Sequence, residues 1–141
     1  MKKLILSFLF FWLFLACGVA KAQDVVIVAN KSVKASDVNS DEIKDVFDGD
    51  KSALKDGSHV TPVTLKGGPV HEAFLKKYEG KGDAAYRAAW RSLVFTGQGS
   101  MPKTFDTEAA LVDYVAATPG AIGYVSAGAA THEGVKILAV K

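Results

Sequence analysis

Lys66, Gly67, Gly68, Pro69 and His71 sit together in the stretch 64-TLKGGPVHEAFLKKY-78. They separate a β-branched, apolar run from a segment with helical periodicity. In α/β proteins, ligands gather at the carboxyl ends of strands. A helix that begins there points free N–H groups and the positive end of its dipole at the ligand, which suits an anion. Lys66 adds a positive charge, Gly67 and Gly68 allow close approach to the main chain, and Pro69 fits the first helical turn. His71, one turn inside, supplies a donor that strengthens on protonation. A small oxyanion is the ligand this pattern would take. The same residues also make a plain strand-to-helix turn, with no fixed phosphate-loop spacing, so both readings stand at this point.

The loop 96-TGQGSMPK-103 is a second candidate, with Gln98 and Gly99 as an opposite rim or as part of an ordinary interhelical connection. His59, His71 and His132 share no metal-ligand spacing and read as unrelated surface residues, so no metal and no cofactor are expected. There is no G-x-S-x-G elbow, and the serines have no matching His and Asp arrangement. Asp41-Glu42 and Asp48 with Asp50 read as cap and loop charges. The sequence therefore argues for binding rather than catalysis.

The elements that must position these residues follow from local signals. Residues 25–29, VVIVA, read as a buried strand. Asn39 with Glu42 forms a capping box, Val38 and Ile43 a hydrophobic staple, and Gly49 a stop, so a helix lies between. A strand is predicted at 60–65, with Pro62 demoting it toward an edge or a late start. Val70, Phe74, Leu75 and Tyr78 share a face of the next helix. Asp83 can cap a third, running to Phe95, whose Ala85, Ala89 and Leu93 form a close-packing stripe with Tyr86 and Trp90 on an adjoining face. Asp106 can cap a fourth, ending at Pro119-Gly120, with Leu111, Tyr114 and Val115 inward. Strands at 121–125 and 135–140 close an α/β order, β-α-β-α-α-α-β-β, built on a small mixed sheet flanked by helices.

Ahead of this domain, Lys2 and Lys3 precede an apolar run from Leu4 to Val19 and an Ala20-Lys21-Ala22 site. Residues 1–22 thus read as a signal peptide and 23–141 as one domain. In an alternative, 14-FLAC-17 is a lipoprotein box and Cys17 the anchor. Either route implies export, to the periplasm or its equivalent, with no transmembrane segment after cleavage. Losing Lys2, Lys3 and Lys21 takes the basic count from 17 to 14 against 15 acids, a net charge of −1. That leaves no basic excess for a nucleic acid.

Four segments, 43-IKDVFDG-49, 61-TPVTLKGGPVHEAFL-75, 90-WRSLVFTGQGSMPK-103 and 118-TPGAIGYV-125, together resemble the substrate-binding proteins of bacterial phosphate importers of the ABC class. The resemblance is to their short, single-lobe relatives and covers nearly all of residues 23–141. It implies a single periplasmic-binding-protein-like lobe, phosphate or a related oxyanion as ligand, and an ABC permease as partner. A second lobe or another copy of the chain would complete the cleft. Aligned on Phe74, Thr64 falls at the family's arginine, Lys66 at its aspartate, Gly68 at its serine and Val70 at its threonine. Gly67 keeps a family glycine, Pro69 replaces another and withdraws an N–H, and His71 stands where short relatives often have arginine. The resemblance thus implies an anion site either degraded or rebuilt, with Lys66 and His71 as replacements.

Overall fold

The computed structural model describes residues 24–141; the expected signal peptide, residues 1–22, and the alternative anchor Cys17 lie outside the described residues. Six strands form one mixed sheet. They are β1 Val25–Asn30, β2 Asp37–Val38, β3 Thr61–Leu65, β4 Lys103–Phe105, β5 Ala121–Ser126 and β6 Val135–Val140, in the order β2-β6-β1-β5-β3-β4. β1 runs antiparallel to both β5 and β6, whereas β3 is parallel to β5 and β4. The helices are α1 Ser40–Phe47, α2 Pro69–Phe74 (extended by a π turn, Leu75–Glu79), α3 Asp83–Phe95 and α4 Glu108–Ala117. No helix among the described residues is long and apolar enough to cross a membrane.

Side chains alternate across a strand, so neighbouring residues of β5 show which helices cover which face. A Cβ on Gly123 would lie 2.8 Å from Leu111 of α4 and 3.2 Å from Val63. Tyr124, next along, turns the other way and stacks on Phe74 of α2 at 3.8 Å between centroids, with Phe47 of α1 at 5.8 Å. α4 therefore covers one face, and α1 and α2 the other. Asn30, at the end of β1, donates its side-chain amide to the carbonyls of Val115 at 2.7 Å and Ala116 at 3.0 Å. Both are carbonyls of the last turn of α4, where intrahelical donors run out; Val115 also accepts the Thr118 N–H at 3.4 Å.

Several local expectations hold. Asn39 accepts from Glu42 N–H at 2.8 Å and Glu42 reaches back to Asn39 N–H, completing the capping box on α1. Val70, Phe74, Leu75 and Tyr78 are all buried.

Others change. β3 is not an edge strand, because three-residue β4 lies outside it. Pro62 is tolerated because pairing with β4 begins only at Val63. On α3, Ala85 and Ala89 of the expected stripe face solvent and only Leu93 packs on the core, while Tyr86 and Trp90 face inward. The reason is polar: Tyr86 Oη–H and Trp90 Nε1–H both donate to the Phe47 carbonyl, at 2.6 and 2.9 Å, so their burial leaves no donor unpaired. Thr107 caps α4, accepting from Ala110 N–H at 3.1 Å.

Gly123→Ala should cost about 1–3 kcal/mol, because the added methyl meets Leu111 and Val63 in a packed interior. A lowered urea midpoint with an unchanged m-value is the expected result.

Candidate functional site

Beyond Leu65 the chain enters the Lys66–Gly68 corner, and the structure fixes it from several directions. Lys66 N–H donates to the Phe105 carbonyl at 2.9 Å, and its carbonyl accepts from Arg87 Nη2. Gly68, at φ +96°, takes the left-handed region that favours glycine, and open space lies where a side chain would project from it or from Gly67. Pro69 opens α2 with no side-chain cap, and the first bond inside the helix is from Glu72 N–H to the Gly68 carbonyl at 3.0 Å. The amide donors ahead of Glu72 have no acceptor within the helix.

His71 is the main departure from expectation. It is 1 % exposed and bonded through both ring nitrogens. Tyr124 Oη accepts Leu65 N–H at 3.1 Å. A phenol has a single hydrogen, so that hydrogen is free for His71 Nδ1. The bonding pattern then assigns the proton to Nε2, which donates to Asp83 Oδ1 at 2.7 Å. The two oxygens of Asp83 also receive Arg87 Nε–H, at 2.9 and 2.8 Å. The result is a closed chain of bonds: Leu65 amide, Tyr124, His71, Asp83, Arg87, Lys66 carbonyl. The imidazole is a structural strut and does not point at the anion corner. Burial alone would raise the Asp83 carboxyl, but the bonds from His71 and Arg87 outweigh it and hold the group below the usual carboxylate range. Burial likewise pushes the Tyr124 phenol up, so it stays protonated and able to donate.

The remaining candidates separate. Gly67 and Gly68 line an open hollow of about 350 Å³ with Leu65, Pro69, Val70, Asp106, Thr107 and Glu108. Lys66 is exposed at its rim and pairs with Asp106 at 3.2 Å. Thr64 is buried and lines a tight enclosed space with His71, Asp83 and Arg87. Gln98 belongs to another hollow, with Asp48, Lys81 and Ser92, so it is no rim to the glycine corner. Gly99 packs beside Trp90.

Arg87, Asp83 and Tyr124 were not foreseen in these roles. One signal was present: His71, Phe74, Leu75 and Tyr78 follow the i, i+3, i+4, i+7 pattern of a single buried face. The i, i+4 spacing of Asp83 and Arg87 on α3 is compatible with a pair but carries no sign of its target.

No family model matches the sequence, and no curated protein matches it. Solved structures do. An ABC-type phosphate transport receptor from Vibrio cholerae superposes with a TM-score of 0.64 at 13 % identity, over 84 % of this chain and 46 % of its own. A protein from Clostridium perfringens, assigned as a phosphate ABC transporter substrate-binding protein and solved with phosphate bound, gives 0.63 at 17 % identity, over 84 % and 45 %. PstS from Borrelia burgdorferi gives 0.56 at 12 % identity, over 84 % and 47 %. The α/β fold of this chain matches part of the fold of these structures. The chain spans less than half the length of these structures, as a single-lobe relative would.

Tyr124→Phe should destabilise the domain by about 1–3 kcal/mol, since Leu65 N–H and His71 Nδ1 both lose their partner. Urea titration would measure it. Asp83 contributes stability above the ordinary carboxylate range and loses it as pH falls through its depressed pKa. Asp83→Asn should therefore flatten the acid limb of a stability profile below about pH 4.

Proposed function

We propose that this chain is an exported, non-catalytic solute-binding lobe that takes a small oxyanion at the Lys66–Pro69 corner, with phosphate the first candidate, for or alongside an ABC importer. The observation that carries this is the corner itself: exposed glycine amides at the carboxyl end of β3, open above, and held rigid by Arg87 and the Tyr124 chain. Its fold, shared with phosphate-transport proteins, supports the same reading.

The electrostatics make the affinity modest. Lys66 and Asp106 are both more than half exposed, so their pair is worth about 0–1 kcal/mol and an anion can compete for the lysine. Asp106 and Glu108 also line the hollow and oppose an anion, although the Glu108 carboxylate accepts Ser126 N–H at 2.5 Å. An open hollow leaves the ligand hydrated. Tight binding requires an opposing surface from a permease, a separate lobe or a second copy, which would exclude water and strengthen each contact.

A second reading is a protein-docking domain without a small-molecule site. It draws on the apolar exposure at the end of α3, where Phe95 is 93 % exposed with Val94 and Met101 both above 40 %.

Amide NMR on residues 23–141 during phosphate titration separates the two. Shifts at Gly67, Gly68 and Val70, saturating in the millimolar range, are expected. Lys66→Ala should weaken binding about two- to fivefold and Asp106→Asn should strengthen it by a similar factor. If those amides stay unmoved at millimolar phosphate, sulfate and arsenate, the docking reading replaces this one.

A further inference from the structure

The helical segment that begins at Pro69 ends at Glu79, and that end holds a buried acid with no role in the network above. Glu79 is 4 % exposed, and neither carboxyl oxygen meets a donor. The π turn packs against α1, and the Glu79 carboxyl faces another acid there: Asp48, the C-cap of α1, is near enough to share a hydrogen with it. Asp48 is held in place by an ion pair with Lys44 and by Lys81 at 3.9 Å. The other titratable groups within electrostatic range of Glu79 are Lys44 on α1, Lys81 in the following turn, Tyr86 on α3 and Tyr124 on β5. The adjoining Tyr78 hydroxyl is buried without a partner. With both acids ionised, Glu79 is a desolvated charge facing a like charge. With one proton between them the same contact becomes a hydrogen bond.

The pair sits where three elements join. One residue before Asp48, the Phe47 carbonyl accepts from both Tyr86 and Trp90 of α3. Glu79 closes the π turn, in which Gly80 N–H reaches the Leu75 carbonyl at 2.8 Å. The wider π winding changes helical phase and brings Leu75, Tyr78 and Glu79 all inward.

We propose that Glu79 and Asp48 form a proton-operated latch: while they share a proton, the carboxyl end of the 69–79 helical segment is clamped to the end of α1, and loss of the proton releases it. The oxyanion corner lies at the other end of the same segment, but the latch does not depend on that corner binding anything.

Burial first, and the contact with Asp48 second, push Glu79 up to about 9. Burial would raise Asp48 too, but the bonds from Glu79 and Lys44 outweigh it and hold Asp48 low, so the proton resides on Glu79. The folded state then keeps a proton that the unfolded chain releases near the ordinary glutamate value. This contribution is complete at low pH and declines as pH rises, until the folded group itself ionises.

The test is urea unfolding of residues 23–141 between pH 5.5 and 9, comparing wild type with Glu79→Gln, whose amide can donate to Asp48 at every pH. The wild-type unfolding constant should rise by up to tenfold per pH unit relative to the variant. Carbon-13 carboxyl NMR on the wild type should find Glu79 titrating well above the other glutamates, a readout that survives if the variant fails to fold. Hydrogen exchange should lose protection with rising pH at residues 44–50 and 75–80 before β6. The latch is overturned if Glu79 titrates with the other glutamates, if Glu79→Gln keeps the wild-type slope, or if protection falls evenly across the sheet.

Discussion

A single phenolic hydrogen sets the geometry of this molecule's candidate binding corner. Because Tyr124 Oη is already an acceptor for the Leu65 amide, its hydrogen goes to His71, and the imidazole must then present its own proton to Asp83. Asp83 in turn orients Arg87, and Arg87 ties down the carbonyl of Lys66. The links from Leu65 to Arg87 are buried or half-buried, so a missing partner there would leave a desolvated polar group, whereas the last link, to the Lys66 carbonyl, is exposed. The stack of Tyr124 on Phe74 holds the phenol where the chain of bonds needs it.

This ordering has a functional cost. The groups that could have faced an anion as cations are spent on structure: His71 is enclosed, Arg87 is neutralised by Asp83, and Lys66 is shared with Asp106. What faces solvent is mainly backbone, a rigid set of amides with little net charge behind it. Such a corner discriminates by shape and hydrogen bonding more than by attraction at a distance. The matched phosphate-transport structures are more than twice as long as the portion matched here.

The fold was largely legible because its signals are local. The Asn39–Glu42 box, the β-branched runs and the Pro119-Gly120 stop each act within a few residues, and each appears in the structure. β2 and β4 were missed because runs of two and three residues carry no periodicity, and pairing alone makes them strands. The candidate site was legible in position but not in wiring. Lys66, Gly67 and Gly68 occupy the expected corner, whereas His71 meets a tyrosine 53 residues away and so could not be assigned from its neighbours. Asp83 and Asp106 look like caps in sequence, yet both spend their carboxylates on side-chain cations. The inward face of α3 was misjudged because hydrophobicity does not report that a tyrosine and a tryptophan can share one carbonyl.

The sheet order has a bearing on how the chain acquires its structure. The first strand lies between the two that come last in sequence, with Ile27 opposite both Tyr124 and Leu138. Its two edges stay bare until residues 121–126 and 135–140 have emerged. No N-terminal fragment can assemble this core, and the heavy reliance on distant pairings should slow its formation. A domain whose first strand waits for its last two stays open, and therefore unfolded, through most of its own synthesis.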